Sequence, residues 1–189
     1  MSAERCNMHA ATLSIDLGAS YTKVAYRAEC NPEGEWSKEA EVLKIDGSTL
    51  IPSLAVMTKD ETQPWIFGQT AAGLTPSPEM RIFQNWKANL FRPSNDESSA
   101  ESVIIAGKFF SWLRQQIESS GVQVASTETR VAMPAFGDLE SKAAVLARCM
   151  ELNGWNSPKI LKATEPHANG IGLFSEGRNV ATSGGDQII

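Results

Sequence analysis

The segment that most constrains the fold lies near the N-terminus. Thr12-Leu-Ser-Ile-Asp-Leu17 reads as a strand, Gly18-Ala-Ser20 as a tight turn of small residues, and Tyr21-Thr-Lys-Val-Ala-Tyr-Arg27 as a second, alternating strand. Such a pattern predicts a β-hairpin. Gly18, Ala19 and Ser20 are small enough to let backbone N–H groups come close to an anion. Asp16, at the end of the first strand, is placed to hold a hydrated Mg²⁺ through water, because magnesium keeps most of its own shell. A plain hairpin whose turn contains Gly fits the same residues, so this segment alone leaves both readings open.

The rest of the chain is read around that hairpin. Pro32 and Gly34 punctuate it before a third strand at Glu41-Val-Leu-Lys-Ile45, and Asp46-Gly47 is a turn signal. Leu54-Ala-Val-Met57 and Trp65-Ile-Phe67 are short apolar pieces, followed by Thr75-Pro-Ser-Pro78; this region reads as a small inserted subdomain spanning roughly 48–120. Ser98-x-x-Glu101 is a capping-box pattern, and Val103, Ala106, Phe110, Leu113 and Ile117 then recur at helical spacing, predicting a helix over 99–119. Thr129-Arg-Val-Ala-Met133 is a strand stopped by Pro134. A helix follows Asp138 with Leu139, Ala143, Leu146, Ala147 and Met150 on one face, and Lys159-Ile-Leu-Lys-Ala163 is the next strand. Thr164-Glu-Pro166 opens a short helix. Antiparallel strands followed by α/β alternation predict a mixed sheet with helices packed on its faces.

Composition narrows the function classes. A chain of 189 residues is about one domain's worth. Its net charge of −5, with no stripe of Lys or Arg, argues against nucleic acid as a partner. No apolar run approaches the ~18 residues a membrane span needs, and Met1 to Ala11 is a polar leader without a signal-peptide core, so a cytoplasmic protein is expected. Cys6, Cys30 and Cys149 are odd in number and widely spaced, which predicts reduced thiols rather than a disulfide framework or a zinc site, and His9 and His167 are too far apart to be a metal pair by spacing. The five Trp residues are spread evenly and read as core or edge packing, with Trp86 and Trp112 expected to be partly exposed.

Ile15-Asp-Leu-Gly-Ala-Ser-Tyr-Thr-Lys-Val-Ala25 resembles the first phosphate motif of the actin, sugar-kinase and heat shock protein 70 superfamily. Two further segments resemble the heat shock protein 70 chaperones in particular. Arg130-Val-Ala-Met-Pro-Ala-Phe136 is similar to their Val-Pro-Ala-Tyr-Phe segment, and Ile160-Leu-Lys-Ala-Thr-Glu-Pro-His-Ala168 to their Ile-Asn-Glu-Pro-Thr-Ala-Ala connecting helix. The resemblance implies an RNase H-like (actin-like ATPase) lobe over 12–182 with a tail at 183–189, the first half of a nucleotide-binding domain with ATP and Mg²⁺ as ligands. It makes Asp16, Gly18, Ala19, Ser20, Tyr21 and Lys23 the candidate nucleotide contacts, Asp16 the metal-side carboxylate, and Glu165 the residue that positions water and Mg²⁺.

Departures from the family pattern bear on activity. Where the chaperones carry a catalytic Lys after Gly-Asp-Ala-Ala, this chain has Phe67-Gly-Gln-Thr-Ala-Ala-Gly73. The charge that would stabilise a transferring phosphoryl group is missing there. Lys87 is expected to be a surface cation, and Lys23 is either a phosphate contact, as in actin-type members, or a solvent-facing strand residue. Pro134 resembles the family's interdomain switch, Lys142 stands where the family has Arg, and the role of His167 is unexplained. An Hsp70-like ATP-binding half-domain, inactive in hydrolysis by itself, is therefore expected. A protein client or co-chaperone, or a second copy at the open cleft face, are the expected protein partners. Two alternatives stand beside it: an actin-like cytoskeletal or pilus-assembly ATPase, favoured by Lys23, and a non-catalytic interaction module, favoured by the missing lysine.

Overall fold

A computed structural model describes residues 11–28, 39–60, 62, 64–90, 97–132 and 139–161. At its centre lies strand β1 (Thr12–Leu17), whose Leu13, Ile15 and Leu17 are fully buried while Ser14 is exposed. β2 (Tyr21–Arg27) pairs antiparallel with it, from Thr12 opposite Arg27 to Leu17 opposite Thr22. Two short strands, β3 (Glu41–Val42) and β4 (Ile51–Pro52), pair with opposite ends of β2.

A second sheet follows. β5 (Ala55–Met57) is its middle strand, with β6 (Trp65–Phe67) on one side and β7 (Arg81–Phe83) on the other, both antiparallel. α1 (Gly68–Ala72) comes directly off β6, and α2 (Trp86–Leu90) directly after β7. The chain then runs through α3 (Glu97–Ser119) into β8 (Glu128–Ala132), which returns parallel to β1. α4 (Leu139–Glu151) leads to β9 (Lys159–Leu161), parallel to β8. The main sheet is thus mixed, in the order β3-β2-β1-β8-β9 with β4 beside β2.

Because β1 and β8 are parallel, their connection must cross over the sheet. α3 makes that crossing and buries Ile105, Ala106, Phe109, Phe110, Leu113 and Ile117 against the apolar face, where α4 adds Leu146, Cys149 and Met150. Burial pushes the Cys149 thiol up from its ordinary value, as expected of an inert core thiol. Trp155 closes the far end, its indole N–H donating to the Phe110 carbonyl at 3.1 Å.

Several expectations are corrected. The third strand ends at Val42 rather than Ile45, because Leu43 and Ile45 turn into the core and Asp46 and Gly47, with φ of 51° and 77°, reverse the chain. The long helix starts at Glu97, so Ser98 lies inside it; Ala106, Phe110, Leu113 and Ile117 are buried as expected, whereas Val103 is 40% exposed and Ile105 and Phe109 join the buried face. β7 was not foreseen next to the Pro/Ser stretch. Trp86 is buried, whereas Trp112 is partly exposed as expected. The strand expected to reach Ala163 is described to Leu161; Trp36, Cys6, Cys30, His9, Pro134, Glu165, His167 and the expected helix at 164 lie outside the described residues.

Two positions test this packing. Gly68 has a φ of 67°, and a Cβ there would meet Trp112 at 2.9 Å and the Asp46 carboxylate at 3.0 Å. Gly68→Ala is expected to cost about 1–3 kcal/mol in urea denaturation; an unchanged midpoint would refute the crowding. On the polar face of the sheet, Glu128 accepts hydrogen bonds from Lys159 at 2.9 Å and Arg130 at 2.6 Å, which hold its carboxyl below the ordinary range. A carboxylate whose folded value is depressed stabilises the fold above its unfolded value, and that gain disappears as pH falls through the folded one. Glu128→Gln should therefore cost a few tenths of a kcal/mol at neutral pH, about what an exposed ion pair contributes. The gap to the parent should close below about pH 4, read from denaturation midpoints across pH.

Candidate functional site

The carboxyl ends of the parallel strands β1, β8 and β9 share one edge of the sheet, the edge where α/β sheets characteristically take ligands. The turn Gly18-Ala19-Ser20 projects from that edge. Gly18 is buried, whereas Ala19, Ser20 and Tyr21 are exposed.

The turn is fastened from behind. β4 pairs beside the start of β2, bringing Pro52 opposite Tyr21, and Ser53 follows: its N–H donates to the Ser20 carbonyl at 2.8 Å and its hydroxyl to the Gly18 carbonyl at 3.5 Å. The Gly18 carbonyl also accepts from the Lys87 ammonium at 3.0 Å, and the same ammonium donates to Thr22 Oγ1 at 2.6 Å. Lys87 is 2% exposed, with its Nζ 5.6 Å from the Trp86 ring centroid and 5.5 Å from that of Phe109. This overturns the expectation of a surface cation. The inserted region folds back so that α2 lies behind the hairpin, and sequence reasoning missed it because the contact spans 69 residues.

Beside the turn is a pocket of about 300 Å³ lined by Ala19, Ser20 and Tyr21 from the hairpin, by Pro52, Ser53 and Leu54, and by Gln84 and Asn85. A trans peptide holds its carbonyl and the following N–H in opposite directions. With the Gly18 carbonyl drawn inward to Lys87 and Ser53, the Ala19 N–H is directed outward. Among the described glycines positive φ occurs at Gly47, Gly68, Gly121 and Gly154 and not at Gly18, so Gly18 serves here through its small size.

The other candidates are distributed differently. Asp16 and Lys23 are direct cross-strand partners on the polar face of the sheet, Asp16 half-buried and Lys23 exposed; neither lines this pocket. Glu165 lies outside the described residues. The stretch standing where the chaperones have a catalytic Lys forms α1. Its Thr70 N–H and hydroxyl both bond the Asp46 carboxylate, at 2.7 and 3.0 Å, and Gln69 donates to the Leu50 carbonyl at 3.0 Å. Those polar groups are committed to holding the subdomain together. Gln84 and Asn85 were not foreseen as site residues, and nothing in their spacing marked them. Among the described residues no group of three or more His, Cys, Asp or Glu could hold a metal ion, and no helix is long and apolar enough to cross a membrane.

No protein-family model matches the chain, and no curated relative is detected by sequence. Solved structures do share its fold. MreB 5 of Spiroplasma citri, bound to AMPPNP, superposes with a TM-score of 0.55 at 14% identity, covering 90% of this chain and 42% of its own. A non-polymerising mutant of MamK, also bound to AMPPNP, superposes with a TM-score of 0.53 at 18% identity, covering 88% of this chain and 44% of its own. The fold is therefore a mixed α/β fold similar to that of MreB 5 and MamK, and the chain spans less than half the length of either neighbour.

The fastening of the turn can be probed by itself. Thr22→Val keeps the shape of the side chain but removes an acceptor from a buried ammonium, which should lower stability by about 1–3 kcal/mol. Denaturant unfolding of Thr22→Val and Thr22→Ser, the latter expected to stay near the parent, checks this; equal midpoints for all three would show that the hydroxyl is dispensable.

Proposed function

We propose that this chain is the first phosphate-binding lobe of an actin-like nucleotide-binding protein, taking the phosphates of ATP on the Gly18–Tyr21 turn, and that its nucleotide serves assembly rather than a chaperone cycle. The observation that carries the reading is the turn itself: small residues whose first carbonyl is anchored by Lys87 and Ser53, beside a pocket that Ala19, Ser20 and Tyr21 help to line. Preformed backbone donors are what an anion site requires. Both structural neighbours are bound to AMPPNP, and the MamK neighbour is a mutant described as non-polymerising, which favours an assembling protein over a chaperone. The chaperone reading keeps the support of segments 130–136 and 160–168 in sequence and stands second.

The residues fit the ligands in a limited way. A single half-buried carboxylate, Asp16, suits a magnesium ion that retains its waters and takes its other ligands from phosphate. Such an ion would supply charge neutralisation of the phosphates. Lys23, beside Asp16 across the strands, adds a cation at that face, and Glu165 is assigned the positioning of water. Hydrolysis depends on groups placed around the whole phosphoryl unit, so a lobe spanning less than half of its neighbours is expected to bind without turning over.

Isothermal titration of AMPPNP with Mg²⁺ into the parent and Gly18→Val tests this. A side chain at Gly18 crowds the turn, and affinity should fall about tenfold or more, equivalent to ~1.4 kcal/mol. Equal affinity would overturn the phosphate assignment. Sedimentation velocity with and without nucleotide, run on the same samples, decides the second half: nucleotide-dependent association supports assembly, and an unchanging monomer speaks against it.

A further inference from the structure

We infer that Lys87 is a positioning residue of the phosphate site, a buried cation that aims the Ala19 N–H at the ligand and biases the site toward polyphosphate over monophosphate. This rests on the phosphate reading of the hairpin given above. Four features of the structure carry it.

First, the ammonium is withdrawn from water, 2% exposed and flanked by the rings of Trp86 and Phe109. A buried charge is a poor stabilising device, because an apolar side chain of similar shape often serves the fold as well or better. Second, two of its hydrogen bonds go to the hairpin, to the last residue before the exposed turn and to the second residue of the returning strand, Gly18 O and Thr22 Oγ1. They clamp the turn at both of its ends. Third, the Gly18 carbonyl and the Ala19 N–H belong to one planar peptide, so fixing one inward fixes the other outward. Donation to the carbonyl also polarises that peptide and strengthens its N–H as a donor. Fourth, the pocket beside the turn is lined in part by Gln84 and Asn85, three and two residues before Lys87 in sequence. A single short stretch therefore supplies both part of the pocket lining and the cation that anchors the turn beside it. Because the ammonium is withdrawn from bulk water, its field is screened less than that of a surface cation and grows in effect with the charge of the anion.

The test uses the full 189-residue chain as parent and Lys87→Met, which keeps length and apolar stem while removing the charge. Mg²⁺·AMPPNP, inorganic triphosphate and inorganic phosphate are titrated against both, with the thermal midpoint as the check on folding. Carbon and nitrogen NMR of the Gly18 carbonyl and the Ala19 amide gives a readout that needs no ligand. The expected result is a folded Lys87→Met with a displaced Gly18 carbonyl resonance, AMPPNP affinity reduced about tenfold or more, and the preference for triphosphate over phosphate reduced. Unchanged affinity in a folded variant overturns the proposal, as does loss of affinity with an undisturbed Gly18 carbonyl. If the parent itself binds neither AMPPNP nor triphosphate, the phosphate reading fails; the Gly18 carbonyl shift then decides separately whether Lys87 sets the turn. Should Lys87→Met not fold, the Lys87 Nζ resonance of the labelled parent decides: a shift on adding triphosphate but not phosphate supports the proposal, and no shift overturns it.

Discussion

The position of β1 between an antiparallel and a parallel neighbour sets the geometry of everything else. The antiparallel partner, β2, requires a tight turn directly after Leu17, and the parallel partner, β8, requires a long crossover. Together they bring the turn to the same edge as the carboxyl ends of β8 and β9, and they lay α3 across the face where Leu13, Ile15 and Leu17 point. Each of those side chains contributes on the order of 1.5–3 kcal/mol by leaving water. A one-residue slip in β1 would turn them out and Ser14 and Asp16 in, so the register that builds the core also decides which face Asp16 occupies.

The small second sheet has a positional task. Its aromatic residues begin a series of ring contacts, Trp65 with Phe67 and Phe83, Phe67 with Phe109 and Trp112, and Phe109 with Trp86, with centroids 5.2–6.3 Å apart. That chain of rings runs from β6 and β7 through α3 to α2. It fixes α2 behind the hairpin and so delivers Lys87 to Gly18. The Asp46 carboxylate, bonded to Thr70, ties the other side of the same sheet to the loop after β3.

Local pattern made much of this readable from residues. The β1–β2 hairpin followed from alternation around small turn residues, and β8, α4 and β9 from the change between a period of two and a helical one, because each of those signals lies within a few consecutive positions. The Asp46-Gly47 turn was legible for the same reason. What could not be read depends on distant contacts. β7 is three residues long and exists because β5 offers it an edge, while the inward face of α3 is set by what it packs against rather than by spacing alone. Lys87 is the sharpest case: a lysine is charged and ordinarily exposed, and distant contacts, with Gly18 and Thr22 among them, make its burial tolerable. The turn residues of the site were therefore visible in sequence, and the cation and amide wall around them were not.

The distribution of charge around the turn bears on what such a site can accomplish. In α1 the polar groups nearest the place of the chaperones' lysine are spent on Asp46 and Leu50, and no cation projects from it. The positive charge at the hairpin comes instead from Lys87, fixed on the Gly18 carbonyl and Thr22 hydroxyl, and from Lys23 on the polar face of the sheet. A charge held in place by hydrogen bonds to the hairpin attracts a bound polyphosphate and one passing through phosphoryl transfer to nearly the same extent, because it cannot move to follow the charge that develops. Interactions equal in ground and transition states tighten binding without accelerating the chemical step. Under the proposed reading, this lobe is built to hold a nucleotide, and any acceleration of hydrolysis must come from groups outside the described hairpin and pocket. A protein whose assembly answers to the nucleotide it holds needs that arrangement more than it needs rapid turnover.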